Sequence, residues 1–246
     1  MPAPSAKGTS RAGVYYLGVG GPRSRLLVRS VGAVLLAAIF VASCGSTGEQ
    51  TTAKGEQGSS KEPLAPSGER VAIGETEALV WGDGDYGAVM AHGASYDAAS
   101  WEEQGQEIAE EGLLALAPED TSPESLLASI EYLKEERGIQ DVAFIGGSAG
   151  GNAVLRAAGR SPGAAHQLIL LSSAGDVSGL GEEPKLFVAS EGEGLAEEAR
   201  RMAREAPGDQ NEALILPGDA HAQAIFQTEE GDRLMRAILE RLKEYR

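Results

Sequence analysis

Residues 146–151 read Gly-Gly-Ser-Ala-Gly-Gly and contain the pattern G-x-S-x-G centred on Ser148. A serine hydroxyl becomes a nucleophile when a base takes its proton, and the chemistry it then does is attack on an acyl carbonyl. An apolar run, Val142–Ile145, precedes the pattern and a helix-forming stretch follows it, the context this motif needs. The glycines allow a turn so sharp that larger side chains two residues either side of the serine would collide. Such a turn lifts the hydroxyl clear of a sheet and aims the Ala149 amide, at a helix N-terminus, at the space where an oxyanion would develop. A phosphate-binding loop is the rival. It wants G-x-G-x-x-G or a Lys-Ser/Thr ending, and Ser148 stands where its second glycine would be.

The base must come from His92, His166 or His221, the three histidines of the chain. His166 lies just before a strand-like run, at the wrong edge of a parallel sheet. His221 follows the last strand-like run and precedes the final helix, so its loop is expected to drop the imidazole onto Ser148 from a neighbouring strand. An acid must orient that imidazole and stabilise its charged form. Glu191 and Glu193 both follow the run between the serine and His221. Glu193 is favoured because the loop needs a few residues to curl back, Glu191 stays open, and Asp219 is only two residues from His221. In His92-Gly93-Ala94 a tight turn would bring the Ala94 amide into the site, pairing it with Ala149 as a two-donor oxyanion hole. His92 reads as a supporting residue. Tyr96 and Trp101 are candidates for an apolar substrate wall, or equally for the core.

These residues need a scaffold. Val71–Ile73 and Ala78–Trp81 look like a hairpin. Tyr86–Ala91, Leu113–Ala117, Val142–Gly146, Leu168–Ser172, Leu186–Ala189 and Ala213–Leu216 are short apolar runs of the kind that form buried strands. Between them, Ala98–Glu111, Ser122–Arg137, Gly150–Gly159 and Leu195–Ala206 carry helical signals, and Thr228–Tyr245 closes the chain as a helix. Buried strands alternating with amphipathic helices predict an α/β domain: a mostly parallel central sheet with helices on both faces. Function in such sheets gathers at the carboxyl ends of the strands, where every residue named above except His166 falls.

The elbow around Ser148, the His92-Gly93 turn, an acid after the penultimate strand and His221 before the last helix resemble the α/β-hydrolase family. The likeness is to its small dienelactone-hydrolase-like or esterase-like members and covers nearly all of residues 70–246. The resemblance implies Ser148 as nucleophile, His221 as base, Glu193 as acid, and the Ala94 and Ala149 amides as oxyanion donors, with no metal and no cofactor. Glu stands where most members carry Asp. Residues 173–183 are too few for a cap domain, so the expected site is open and suits small or solvent-borne acyl substrates. A silent hydrolase fold acting as a binding module of the cell envelope is the alternative. Esters, thioesters and amides share this machinery.

With 37 acidic against 21 basic residues among 246, and only 5% aromatics, the chain lacks the surface nucleic-acid binding requires. The charge is unevenly placed. Residues 1–43 hold five basic and no acidic residues. Within them Val31–Val41 is apolar but, at eleven residues, short of the roughly 20 that span a bilayer. It has the size of a signal-peptide core behind a basic segment. Val41-Ala42-Ser43-Cys44 resembles the lipobox of bacterial lipoproteins, and Cys44 is the only cysteine. The resemblance implies a mature chain beginning at Cys44 and held in a membrane by its acyl chains, outside the cytoplasm. An uncleaved anchor and an ordinary secretory signal are the other readings. Residues 45–69 are rich in Gly, Ser, Thr, Glu and Lys and read as a tether. The sequence leaves the oligomeric state open.

Overall fold

The computed structural model describes residues 67–246. Cys44, the leader and most of the expected tether lie outside the described residues. Eight strands form one sheet: β1 (Glu69–Ile73), β2 (Thr76–Trp81), β3 (Tyr86–Ala91), β4 (Leu114–Pro118), β5 (Asp141–Gly147), β6 (Gln167–Leu171), β7 (Lys185–Ser190) and β8 (Asn211–Leu216). Five α-helices connect them: α1 (Glu102–Glu110), α2 (Pro123–Glu136), α3 (Ala149–Arg160), α4 (Ala196–Glu205) and α5 (Gly231–Glu244). The strand order is β1-β2-β4-β3-β5-β6-β7-β8. β1 and β2 form the expected antiparallel hairpin, β2 runs antiparallel to β4, and every other pair is parallel.

The period of two along a strand decides what each face holds. In β5, Val142 and Phe144 join Leu126, Ile130 and Leu133 of α2, Val154 of α3 and Met202 of α4. Ala143 and Ile145 point the other way, to Ile108 of α1 and Leu234, Ile238 and Leu242 of α5. The sheet is therefore covered on both faces, and its central strands are apolar throughout because neither side meets water.

α2 begins where Ser122 caps the Ser125 amide and Pro123 occupies the first turn. Two ends differ from the sequence expectation. A 3-10 turn over Ala98–Trp101 precedes α1, and another over Ala222–Gln227 separates His221 from α5, which starts at Gly231 rather than at Thr228. At the amino end of β7 the Lys185 ammonium is fully buried and donates to the carbonyls of Gly181, Glu183 and Pro207. Desolvation pulls its pKa down, and the neighbouring Glu183 carboxylate opposes that shift. Residues 172–184, between β6 and β7, contain no helix or strand.

Candidate active site

Ladder register brings the candidate residues together. Ala91 of β3 pairs with Gly146 of β5, so the 92–94 turn leaves the sheet beside Ser148. Gly147 pairs with Leu171, which places Ser172 next to Ser148 on the other side. Ser190 of β7 pairs with Leu216 of β8, so the loops after these two strands emerge in parallel. The pairing continues outward, with Glu191 N–H donating to Leu216 O and Gly192 N–H to Gly218 O, 2.8 Å each.

Ser148 sits at φ 52° and ψ −114°, between β5 and α3. This is a strained conformation for a non-glycine residue, held because the surroundings over-determine it. Its N–H donates to Leu171 O at 2.8 Å, and its carbonyl accepts the Asn152 N–H. The flanking glycines are needed for close approach, by two different routes. A Cβ on Gly146 would lie 2.6 Å from Gly151 Cα across the elbow, the collision expected from the sequence. A Cβ on Gly150 would instead lie 2.2 Å from Ala91 O and 2.5 Å from His92 O, so this glycine lets α3 press on the end of β3.

His221 Nε2 is 2.8 Å from Ser148 Oγ, and His221 Nδ1 is 2.6 Å from Glu193 Oε2. An ionised carboxylate only accepts, so the proton belongs on Nδ1 and the Nε2 lone pair faces the serine hydroxyl. The imidazole does not come from a neighbouring strand. β8 is three places from β5, and the His221 loop reaches over the ends of β6 and β7. The Glu193 side chain is 3% exposed and the His221 side chain 51%, so the acid is sealed while the base stays open to solvent. Glu193 Oε1 accepts two further hydrogen bonds, from Ser190 N–H at 2.6 Å and from Ser172 O–H at 2.8 Å. Glu191 and Asp219 are exposed, and among the described residues the carboxylate paired with His221 is that of Glu193.

The amides expected to hold an oxyanion flank this line. Ala149 opens α3, where a first-turn N–H has no intrahelical partner. Ala94 follows Gly93, whose carbonyl accepts the Tyr96 N–H at 3.0 Å in a turn. Both alanines are exposed. Tyr96 is 43% exposed on the same turn. Trp101 is a correction. It is fully buried and stacks edge-on against Phe226 with ring centroids 6.0 Å apart, so it is a core residue and no substrate wall. Leu113 and Leu234 belong to the same buried cluster. His166 lies at the amino edge of the sheet, 2.9 Å from Asp141. His92 places its ring nitrogens 3.0 and 3.1 Å from the carbonyls of Gly93 and Glu119, supporting the turn.

Three residues unnoticed in the sequence hold these parts. Ser172, expected to end β6, instead adopts φ 48° one residue beyond it. Its hydroxyl donates to Glu193 and accepts the Ala222 N–H at 2.7 Å. Ser190 O–H donates to Ala220 O at 2.6 Å. Gln223, 5% exposed, accepts the Gly93 N–H at 2.8 Å. Their only sequence signal is a polar side chain at or just beyond a strand end, or just beyond the histidine. Ser148, Ser172 and Ala222 are the non-glycine residues with positive φ among the described residues, and all three lie in this site.

Among the described residues no cluster of His, Cys, Asp and Glu has the geometry of a metal centre. No family model and no curated protein matches the sequence. Solved structures do match in shape. A monoacylglycerol lipase from Paleococcus ferrophilus aligns with a TM-score of 0.57 at 16% identity, over 70% of this chain and 100% of that one. A dienelactone hydrolase from Anabaena variabilis aligns with a TM-score of 0.57 at 15% identity, over 72% and 94%. A thermophilic esterase from Thermogutta terrifontis aligns with a TM-score of 0.57 at 18% identity, over 72% and 99%. With the strand order and the strand-to-helix elbow described above, these likenesses establish that the chain has the α/β-hydrolase fold.

Proposed function

We propose that this protein is a serine hydrolase, a carboxylesterase acting on small or solvent-exposed acyl esters, and that it is anchored outside the cytoplasm to a membrane through lipid on Cys44. The hydrolase reading rests on one observation: Ser148 Oγ, the His221 ring and the Glu193 carboxylate form a continuous hydrogen-bonded line, with separations of 2.8 and 2.6 Å. Ser148 Oγ attacks the ester carbonyl carbon while His221 Nε2 takes its proton. The carbonyl oxygen becomes an oxyanion between the Ala94 and Ala149 amides. Collapse expels the alcohol, which receives the proton from His221, and leaves an acyl-serine. Water, deprotonated by His221, then attacks the acyl carbon and releases the acid and free Ser148. Glu193 fixes the ring and stabilises its charged form throughout. The uncapped segment 172–184 and the half-exposed imidazole support a solvent-borne substrate over one buried under a lid. Lipase, esterase and dienelactone hydrolase neighbours share the fold and support the ester reading.

The test is hydrolysis of short p-nitrophenyl esters by the full chain and by Ser148→Ala, with fluorophosphonate labelling in parallel. Loss of the serine is expected to lower kcat by about four to six orders of magnitude, leaving the contribution of the amides and of binding. It should also abolish labelling. Equal rates in the two proteins would end the assignment, and an unlabelled, folded wild type would favour the binding-module alternative.

A further inference from the structure

We propose that Gln223 is a positioning residue for the oxyanion donors, joining the Ala94 turn to the segment that carries the base. The inference rests on the serine-hydrolase reading and extends it to a residue outside the hydrogen-bonded line. Gly93 is pinned at both ends. Its N–H donates to Gln223 Oε1 at 2.8 Å, and its carbonyl accepts the Tyr96 N–H at 3.0 Å. In a planar trans peptide the carbonyl and the following N–H point in opposite directions. Fixing Gly93 O toward Tyr96 therefore fixes the Ala94 N–H away from it, and that N–H has no acceptor among the described residues.

The Gln223 amide is itself oriented. Nε2 donates to Ser100 Oγ at 2.8 Å, and the Ser100 hydroxyl donates to Asp97 O at 2.5 Å. The side chain lies between the two backbone segments that flank the reaction: its Cγ is 3.4 Å from the Cβ position of Gly147, and its Oε1 is 3.7 Å from that of Gly93. It is two residues from His221. Between them, Ala222 is held at φ 52° by its bond to Ser172. The tripeptide 221–223 thus supplies the base, contacts the acid through Ser172, and sets the oxyanion turn. Any shift of this segment moves the proton acceptor and the oxyanion donor together.

A glutamine that merely filled space would, when replaced, lower stability and the fraction of active protein. A positioning residue lowers turnover per active site. The experiment compares the full-length wild type with Gln223→Leu and Gln223→Glu on a short p-nitrophenyl ester. Sites are counted by fluorophosphonate titration, and the affinity of a trifluoromethyl ketone, which forms an oxyanion on Ser148, is measured. Gln223→Leu is expected to lower kcat per titrated site about ten- to hundredfold, less than the full loss of one oxyanion donor costs, and to weaken the ketone by a similar factor. KM should stay within about threefold. Gln223→Glu keeps an acceptor for Gly93 N–H and should recover part of the loss. Unchanged kcat per site or unchanged ketone affinity in Gln223→Leu overturns the proposal. If that variant does not fold, Ser100→Ala, which removes only the anchor of Nε2, takes its place. Lowered kcat with weakened ketone binding then supports the proposal, and no change in either overturns it. A wild type that neither turns over the ester nor takes the label would refute the hydrolase reading instead.

Discussion

At the scale of single residues, the carboxylate that faces His221 is sensitive to a change of one atom. Glu193 is sealed and receives three hydrogen bonds, two of them on the oxygen that does not meet the imidazole. Glu193→Gln keeps the shape but places an N–H or an uncharged oxygen opposite Nδ1, favouring the wrong tautomer or failing to stabilise the charged ring. We expect kcat on short esters to fall by about two to four orders of magnitude. Glu191→Ala should leave it unchanged, because that side chain is exposed and Nδ1 of the imidazole is already taken by Glu193. Loss of activity in Glu191→Ala, with Glu193→Gln active, would reassign the acid. Ser148 and His221 were legible because a motif and a chain order announce them. Trp101 was not, because periodicity places a residue on a helix face without saying what covers it. Ser172 and Gln223 were not, because their partners are 21 and 130 residues away in the chain.

At the scale of elements, the sheet was legible almost whole. Strands buried on both faces are continuous apolar runs, and each stands between turn or helix signals. Helix ends were less so: the chain enters α1 and α5 through 3-10 turns, and a periodic pattern does not separate such a turn from the helix it leads into. α3 shows how one helix holds two kinds of glycine. A Cβ on Gly150 meets backbone oxygens of β3 at 2.2 and 2.5 Å, and backbone cannot step aside as a side-chain tip does. On Gly159 it meets nothing within 4 Å. Gly150→Ala should therefore destabilise the fold by about 2–3 kcal/mol, as overpacking does, and lower esterase activity by disturbing the elbow. Gly159→Ala should stabilise it by about 0.5–1 kcal/mol through reduced chain entropy and better helix propensity. Chemical denaturation of the two variants reads both signs. A stable, fully active Gly150→Ala would show that α3 can move off β3 at little cost.

At the scale of the whole molecule, charge decides how a membrane could hold this domain. From Cys44 onward the sequence carries 37 acidic and 16 basic residues. Such a chain is repelled by an anionic bilayer surface, where attraction comes from clustered Lys and Arg. Among the described residues no helix is long and apolar enough to cross a membrane. If the leader is removed before Cys44, its five basic residues and the apolar Val31–Val41 run go with it. Attachment then depends on the acyl chains of Cys44 alone, and two or more chains are enough for stable anchoring. Expressed in a bacterial host, the wild type should partition into detergent with the membrane fraction. Cys44→Ala blocks lipidation, and the reading predicts that it loses this partitioning while keeping wild-type esterase activity, since Ser148, His221 and Glu193 all belong to residues 67–246. Ionic strength should make little difference to the wild type, because acyl chains hold by burying apolar surface, which salt does not screen. Persistence of Cys44→Ala in the membrane would shift the anchor to the uncleaved Val31–Val41 run and its arginines. A fusion of residues 1–43 to a soluble reporter then separates export from anchoring.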